Sequence, residues 1–216
     1  SRAFGPLVAI WPALDELLAR FAGPPIRNAG TVGGNIANAS PIGDSPPVLL
    51  ALDAEIKLFG PGGARWLKTA DFFRDYRRTA LAPGEIVARV RIPLPRPGTV
   101  FAAYKVSKRF DDDISAVCGV FALDLDGAVV KAARLAYGGM AAIPKRAAHA
   151  EAALIGRPWT LDAARASSAA LAQDFAPLSD MRASAAYRAK IAANLLVRFH
   201  HECTGSGVAT RVIAYG

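Results

Sequence analysis

Leu14, Leu17, Leu18 and Phe21 recur at helical spacing behind Trp11-Pro12, where a proline suits a first turn, and they predict a helix. Gly23-Pro24-Pro25 ends it. From Arg27 to Pro47 the periodicity disappears. Gly30, Gly33, Gly34 and Gly43 are interleaved with prolines and asparagines, and the stretch reads as loop. Asp44 or Ser45 ahead of Pro46 looks like an N-cap, with Val48 to Leu52 continuing as a short helix. Glu55 to Phe59 alternates, Gly60-Pro61-Gly62-Gly63 turns, and Arg65 to Lys68 returns. Thr69 to Tyr76 predicts a short helix. Glu85 to Ile92 alternates again, with Ile86, Ala88, Val90 and Ile92 on one side. Pro93, Pro95, Pro97 and Gly98 then form a stiff linker, which divides the chain into residues 1–96 and 97–216.

The second part opens with strands at Thr99 to Val106 and Ile114 to Leu125. Asp126-Gly127 signals a tight hairpin into Val129 to Tyr137, which Gly138-Gly139 ends. Helices are predicted at Lys145 to Leu154, Leu161 to Gln173 and Ala183 to His201, the last with Tyr187, Ile191, Leu195 and Phe199 on one stripe. Both parts read as α+β, each an antiparallel sheet with helices to one side.

Composition narrows the class. With 216 residues, 52% of them apolar, the chain is globular and long enough to bury a core. Cys118 and Cys203 are its two cysteines, which excludes a disulfide scaffold and an all-cysteine zinc or iron–sulfur site within the chain. The longest apolar run, Pro6 to Leu14, is too short for a membrane span. Ser1 to Gly5 shows no signal-peptide pattern, so a cytoplasmic location is expected, and with no Met at position 1 an N-terminus further upstream is an open expectation. The net charge is +8. Between Lys57 and Arg109 there are 12 Lys or Arg against three acids, so this segment carries the whole excess. It is either a solvated basic surface or a face for an anion: a nucleotide, an acidic subunit or nucleic acid.

The densest candidate chemistry runs from Asn28 to Asp44. Glycines let a backbone approach a ligand, their N–H groups can form an anion nest, and Thr31, Asn35, Asn38 and Ser40 add neutral hydrogen-bonding groups. No Gly-Lys-Ser/Thr follows and no strand precedes, so neither a Walker loop nor a Rossmann fingerprint is present. A nucleotide-type loop and a structural turn cluster both remain open. Cys118 reads as a core thiol. Cys203 beside His200 and His201, lone His149, and Asp111 to Asp113 supply neither a catalytic group nor a metal site.

At these residues the chain resembles the flavoproteins of the molybdenum hydroxylase family, which includes xanthine dehydrogenases, aldehyde oxidoreductases and carbon monoxide dehydrogenases. Four ordered blocks carry the resemblance: Gly30 to Asp44; Asp71-Phe72-Phe73 through Tyr76-Arg77-Arg78-Thr79 to Pro83-Gly84-Glu85-Ile86-Val87; Tyr104 to Val117; and Tyr137-Gly138-Gly139-Met140 to Pro144-Lys145-Arg146-Ala147. The lysine-rich form before the aspartates is most similar to bacterial xanthine dehydrogenase small subunits. The resemblance implies the second subdomain of a PCMH-type FAD-binding domain, followed by a domain like the C-terminal one of carbon monoxide dehydrogenase flavoproteins. It implies FAD contacts at Phe21, Thr31, Val32, Gly33, Gly34, Asn35, Asp44, Val87 and Lys105. Tyr76, Arg109 and Asp112 would lie on the NAD side and tune the flavin. Residue patterning alone allows a helix-end core role for Phe21 and a solvated, ion-paired loop at Lys108 to Asp113.

The resemblance further implies electron passage from iron–sulfur centres through FAD to NAD, with no catalytic acid or base on this chain. The partners would be a molybdopterin-binding large subunit and an iron–sulfur domain or subunit in an oligomeric assembly. The family's first glycine-rich flavin loop has no counterpart before Gly30, so a complete FAD site is expected to need residues outside this chain. The alternatives are an aldehyde- or carbon monoxide-oxidising relative, a truncated remnant that holds no FAD, and a nucleic-acid binder, for which no recognition motif is present.

Overall fold

The computed structural model describes residues 5–210, so Ser1 to Phe4, part of the stretch read above for a targeting signal, lie outside the described residues. Helix α1 (Gly5–Ile10), a 3-10 turn at Pro12–Leu14 and α2 (Asp15–Ala19) come first. Then follow α3 (Pro24–Ala29), α4 (Val32–Ala37) and α5 (Ser45–Ala51). A three-stranded antiparallel sheet is built from β1 (Glu55–Gly60), β2 (Gly63–Lys68) and β5 (Ile86–Arg91), in the order β2-β1-β5. The ribbon of β3 (Phe73–Asp75) and β4 (Arg78–Thr79) lies between β2 and β5 in sequence. The second half forms an antiparallel sheet of β6 (Thr99–Val106), β7 (Val117–Asp126), β8 (Val129–Gly138) and β9 (Lys145–Arg146), in chain order. Three helices, α6 (Ala148–Ala152), α7 (Leu161–Asp174) and α8 (Ala185–Thr204), complete it.

The β1–β2 hairpin, the β7–β8 hairpin with Gly127 at φ 56°, and α7 follow the sequence pattern. Other readings change, among them Lys145–Arg146, which is a strand ahead of α6 and not its first turn. Gly23-Pro24-Pro25 both ends one helix and starts another, because Pro24 occupies the first turn of α3, where a missing N–H costs nothing. The supposed loop after Arg27 contains α3 and α4. Gly33 and Gly34 are helical, since the Thr31 hydroxyl caps α4 by accepting the Gly34 N–H at 2.9 Å. Thr69 to Tyr76 is a 3-10 turn followed by β3, because Thr69 donates its hydroxyl to the Ala54 carbonyl at 2.7 Å and Phe72 and Phe73 are both buried. Opposite Lys57 and Leu58 of β1 the register of β5 slips by one residue, and this bulge brings Val87 inward beside Val90 while leaving Ile86 62% exposed.

Helices cover both faces of the four-stranded sheet, not one. Phe121, Leu123, Leu135 and Tyr137 pack against α6 to α8. Cys118, Val120 and Ala136 face the other way, onto α5 and the Trp11–Leu17 segment. This explains why Val117 to Leu123 is buried without interruption: both of its faces are covered. The strand starts at Val117 rather than Ile114. On α8 the buried stripe is Arg188, Ala192, Leu195 and Phe199, with Tyr187 half-exposed. Helix α5 joins the halves: Leu49 packs with Ile36, Ile56 and Phe72, while Val48 and Leu50 pack with Cys118 and Val120.

Candidate ligand pocket

The pocket forms where α2 gives way to α3. The last carbonyls of α2 have no intrahelical partners, and the Arg27 guanidinium supplies them. It donates to Leu18 at 2.8 Å and Ala22 at 2.9 Å, and also to the Ala19 and Phe21 carbonyls. That brace holds Ala22 at φ 53° and sets Phe21 against the opening. Opposite stand Thr31, Gly34 and Asn35 of the capped α4. Ser45 at the start of α5 closes the far side and donates its hydroxyl to the Asn35 side-chain carbonyl. The cleft, open on one side, has a volume of about 440 Å³, in the range of small-molecule sites.

The glycines act by omission. A Cβ on Gly34 would stand 2.9 Å from the capping Thr31 oxygen, one on Gly30 2.8 Å from the Ile26 carbonyl, and one on Gly33 2.8 Å from the Val87 carbonyl. Gly30 and Gly34 line the space, whereas Gly33 faces away from it onto β5, so Val87 backs the α4 wall. The apolar side of Phe21 and Val32 and the polar edge of Thr31, Asn35 and Ser45 suit a flat heteroaromatic ligand with hydrogen-bonding edges.

Behind Ser45 lies a buried ion pair. The Lys105 ammonium donates to Asp44 at 2.6 Å, with both side chains almost wholly buried. The other Asp44 oxygen accepts the Ser115 hydroxyl. Asp44 occupies the N-cap position of α5, yet its side chain makes no cap bond. Cys118 sits beneath it with its thiol pushed well up by burial.

The segment between β6 and β7 rests beside the pocket. Arg20 donates to the carbonyls of Lys105 at 2.9 Å and Phe110 at 3.0 Å and to the Ser107 hydroxyl at 3.0 Å, and its guanidinium lies over the Phe110 ring. Asp112 adopts φ 50°, and its carboxylate oxygen lies 2.7 Å from where a Gly23 Cβ would stand, next to the Phe21 turn. Arg109 donates its N–H to Asp113, which holds that carboxyl below the usual range.

Phe21, Thr31, Val32, Gly34 and Asn35 therefore share the pocket, with Gly33 and Val87 supporting one wall and Asp44 and Lys105 packed behind another. Tyr76 stands apart: it occupies the exposed β3–β4 turn with Arg77 over its ring. Sequence reasoning singled out neither Arg20 nor Arg27 nor Ser115, because each acts through backbone carbonyls or a distant side chain and leaves no periodic signal.

Elsewhere, the Cys203 thiol accepts the Trp159 indole N–H at 3.2 Å, and burial raises it. His149 pairs with Asp174 at 2.9 Å. Among the described residues no His, Cys, Asp and Glu cluster could hold a metal ion, and no helix is long and apolar enough to cross a membrane.

Two family models match in tandem: the FAD binding domain in molybdopterin dehydrogenase over residues 3–95, and the CO dehydrogenase flavoprotein C-terminal domain over 102–203. The chain is 35% identical over 195 residues to the carbon monoxide dehydrogenase medium chain of Afipia carboxidovorans, covering 89% of this chain and 66% of that one. It is 40% identical over 153 residues to the xanthine dehydrogenase/oxidase of Gallus gallus, covering 69% of this chain and 11% of that protein. Among solved structures it superposes with a TM-score of 0.84 on carbon monoxide dehydrogenase from Hydrogenophaga pseudoflava, at 31% identity, covering 90% of this chain and 68% of the other.

Proposed function

Because the chain belongs to the FAD-binding flavoprotein family of the molybdenum hydroxylases, we propose that its pocket holds part of an FAD and that the protein relays electrons in a xanthine dehydrogenase-like enzyme. The observation that carries this reading is the convergence of the α4 glycine wall, Phe21 and Ser45 around one space of suitable size, with the buried Asp44–Lys105 pair behind Ser45. The residues fit the group. Gly30 and Gly34 keep the wall free of side chains, Thr31 and Asn35 offer polar contacts, and Phe21 and Val32 offer an apolar face. Asp44 and Lys105 lie behind the Ser45 wall, and Val87 supports α4 from behind. Bound FAD supplies two-electron acceptance and one-electron transfer, the link between single-electron centres and a hydride acceptor.

The chain's own residues orient that cofactor and exclude water from it. Arg109 and Asp112, on the segment that Arg20 fixes beside Phe21, would tune the charge near the ring and the approach of NAD; Tyr76 would lie on the NAD side. Residues 1–96 would supply the flavin contacts, and 97–216 would supply Lys105 and the supporting sheet. A molybdopterin-binding large subunit and an iron–sulfur domain or subunit would complete an oligomeric, cytoplasmic enzyme. A second reading, the medium chain of a carbon monoxide-oxidising enzyme, is favoured by the extent of overlap with such separate subunits.

Titrating the purified protein with FAD and recording the visible absorption of bound flavin tests the proposal. Saturable uptake, with bleaching when NADH is added anaerobically, is the expected result. A protein that takes up no FAD is a remnant, and the reading fails; uptake without bleaching removes NAD as acceptor.

A further inference from the structure

Ser115, inside the Tyr104 to Val117 block but given no role there, lies just ahead of β7 and is 1% exposed. Its hydroxyl donates to Oδ1 of Asp44, while Lys105 Nζ donates to Oδ2 at 2.6 Å. Asp44 spends neither oxygen on capping α5. Both partners come from the second half of the chain and meet a carboxylate of the first. Of the three N–H donors on the Lys105 ammonium, one goes to Asp44, and among the described residues no other acceptor takes the remaining two. A buried ammonium with unspent donors is costly unless a ligand provides acceptors. Its neighbour along the chain from Asp44, Ser45, lines the pocket.

We propose that Ser115 is a positioning residue for this site: by fixing the rotation of the Asp44 carboxylate it sets where the Lys105 ammonium stands, and so directs the two free donors to acceptor oxygens or nitrogens of the bound ligand. The proposal rests on the reading of the pocket as an FAD site for the identity of that ligand. Without the hydroxyl, Oδ1 of Asp44 is left unpaired in a dry setting. The carboxylate is then free to rotate, and both its oxygens compete for Nζ, drawing the ammonium away from the ligand. Cys118 does not substitute, because its thiol faces the Asp44 backbone carbonyl at 3.9 Å.

The test compares wild type, Ser115→Ala and Ser115→Thr with two readouts. The first needs no flavin: the rate at which Lys105 is acylated by acetic anhydride, followed by mass spectrometry against an exposed lysine as internal standard. The Ala variant should change that rate several-fold and the Thr variant should restore it. The second is FAD affinity and the visible spectrum of the bound flavin. The Ala variant should bind about ten-fold or more weakly with a shifted spectrum, the size expected for losing control of a charged hydrogen bond, while Thr stays near wild type. Unchanged acylation in Ser115→Ala overturns the proposal, as does unchanged affinity where wild type binds FAD. Failure of Thr to rescue also overturns it, since that outcome assigns Ser115 to packing alone. If wild type takes up no FAD, the cofactor assignment fails, and the acylation rates still decide whether Ser115 positions Lys105.

Discussion

The Val87 carbonyl oxygen lies 2.8 Å from the point a Cβ would occupy on Gly33, so α4 and β5 meet backbone to backbone. In an open helix Gly→Ala gains about 1 kcal/mol. Overpacking against a backbone that cannot swing aside costs about 1–3 kcal/mol. Gly33→Ala is therefore expected to lose stability in urea unfolding, by up to about 2 kcal/mol. Gly62→Ala, where nothing lies within 4 Å, should stay within about 0.5 kcal/mol of wild type. A neutral or stabilised Gly33→Ala would show that the two elements are free to separate.

Arg20 makes three hydrogen bonds to the Lys105–Phe110 segment. Replacing it by Ala should loosen that segment and speed trypsin cleavage after Lys108 or Arg109. Lysine should rescue poorly, because one ammonium cannot reproduce the planar fork. Equal cleavage rates in all three proteins would remove Arg20 as the anchor.

Arg188 is 2% exposed and donates to the Ala116 carbonyl, to the Gly139 carbonyl at 3.1 Å and to Asp180 at 2.7 Å. Arg188→Ala strands the two carbonyls while Asp180 remains solvated, and a loss of about 2–3 kcal/mol is expected on the scale of unsatisfied buried acceptors. Denaturant titration checks it; a loss under about 1 kcal/mol would mean that solvent reaches those carbonyls.

Glu85 receives two charge-assisted bonds from Arg65 and the Ala82 N–H, and these hold its carboxyl down at about 2. Because the folded value lies below the unfolded one, the contribution is full above the ordinary glutamate value of 4.5 and is lost as pH falls from there towards 2. Wild type should thus lose melting temperature over that window more steeply than Glu85→Gln. Parallel curves would show that the exposed pair does not matter to folding.

Alternation and turn residues were enough to locate β1, β2, β6, β8 and the Asp126-Gly127 hairpin, because those strands each present a regular face or a tight turn. They failed where a tertiary partner overrode local preference. The Thr31 cap makes a helix of a glycine-rich run, one bulge swaps Ile86 for Val87 on the inward side of β5, and the second covered face of β7 erases its alternation. At the site, patterning made Asp44 legible as an N-cap, and the family resemblance alone pointed to Lys105. Their pairing spans 61 residues and depends on how the two halves pack.

Helix α5 contributes to two hydrophobic clusters at once, one on each sheet. The stiff proline run after β5 thus connects two parts that share one hydrophobic cluster. Cutting the chain at Pro95 would leave each piece with a wet half-core, and heating the intact chain should give one calorimetric transition in place of two.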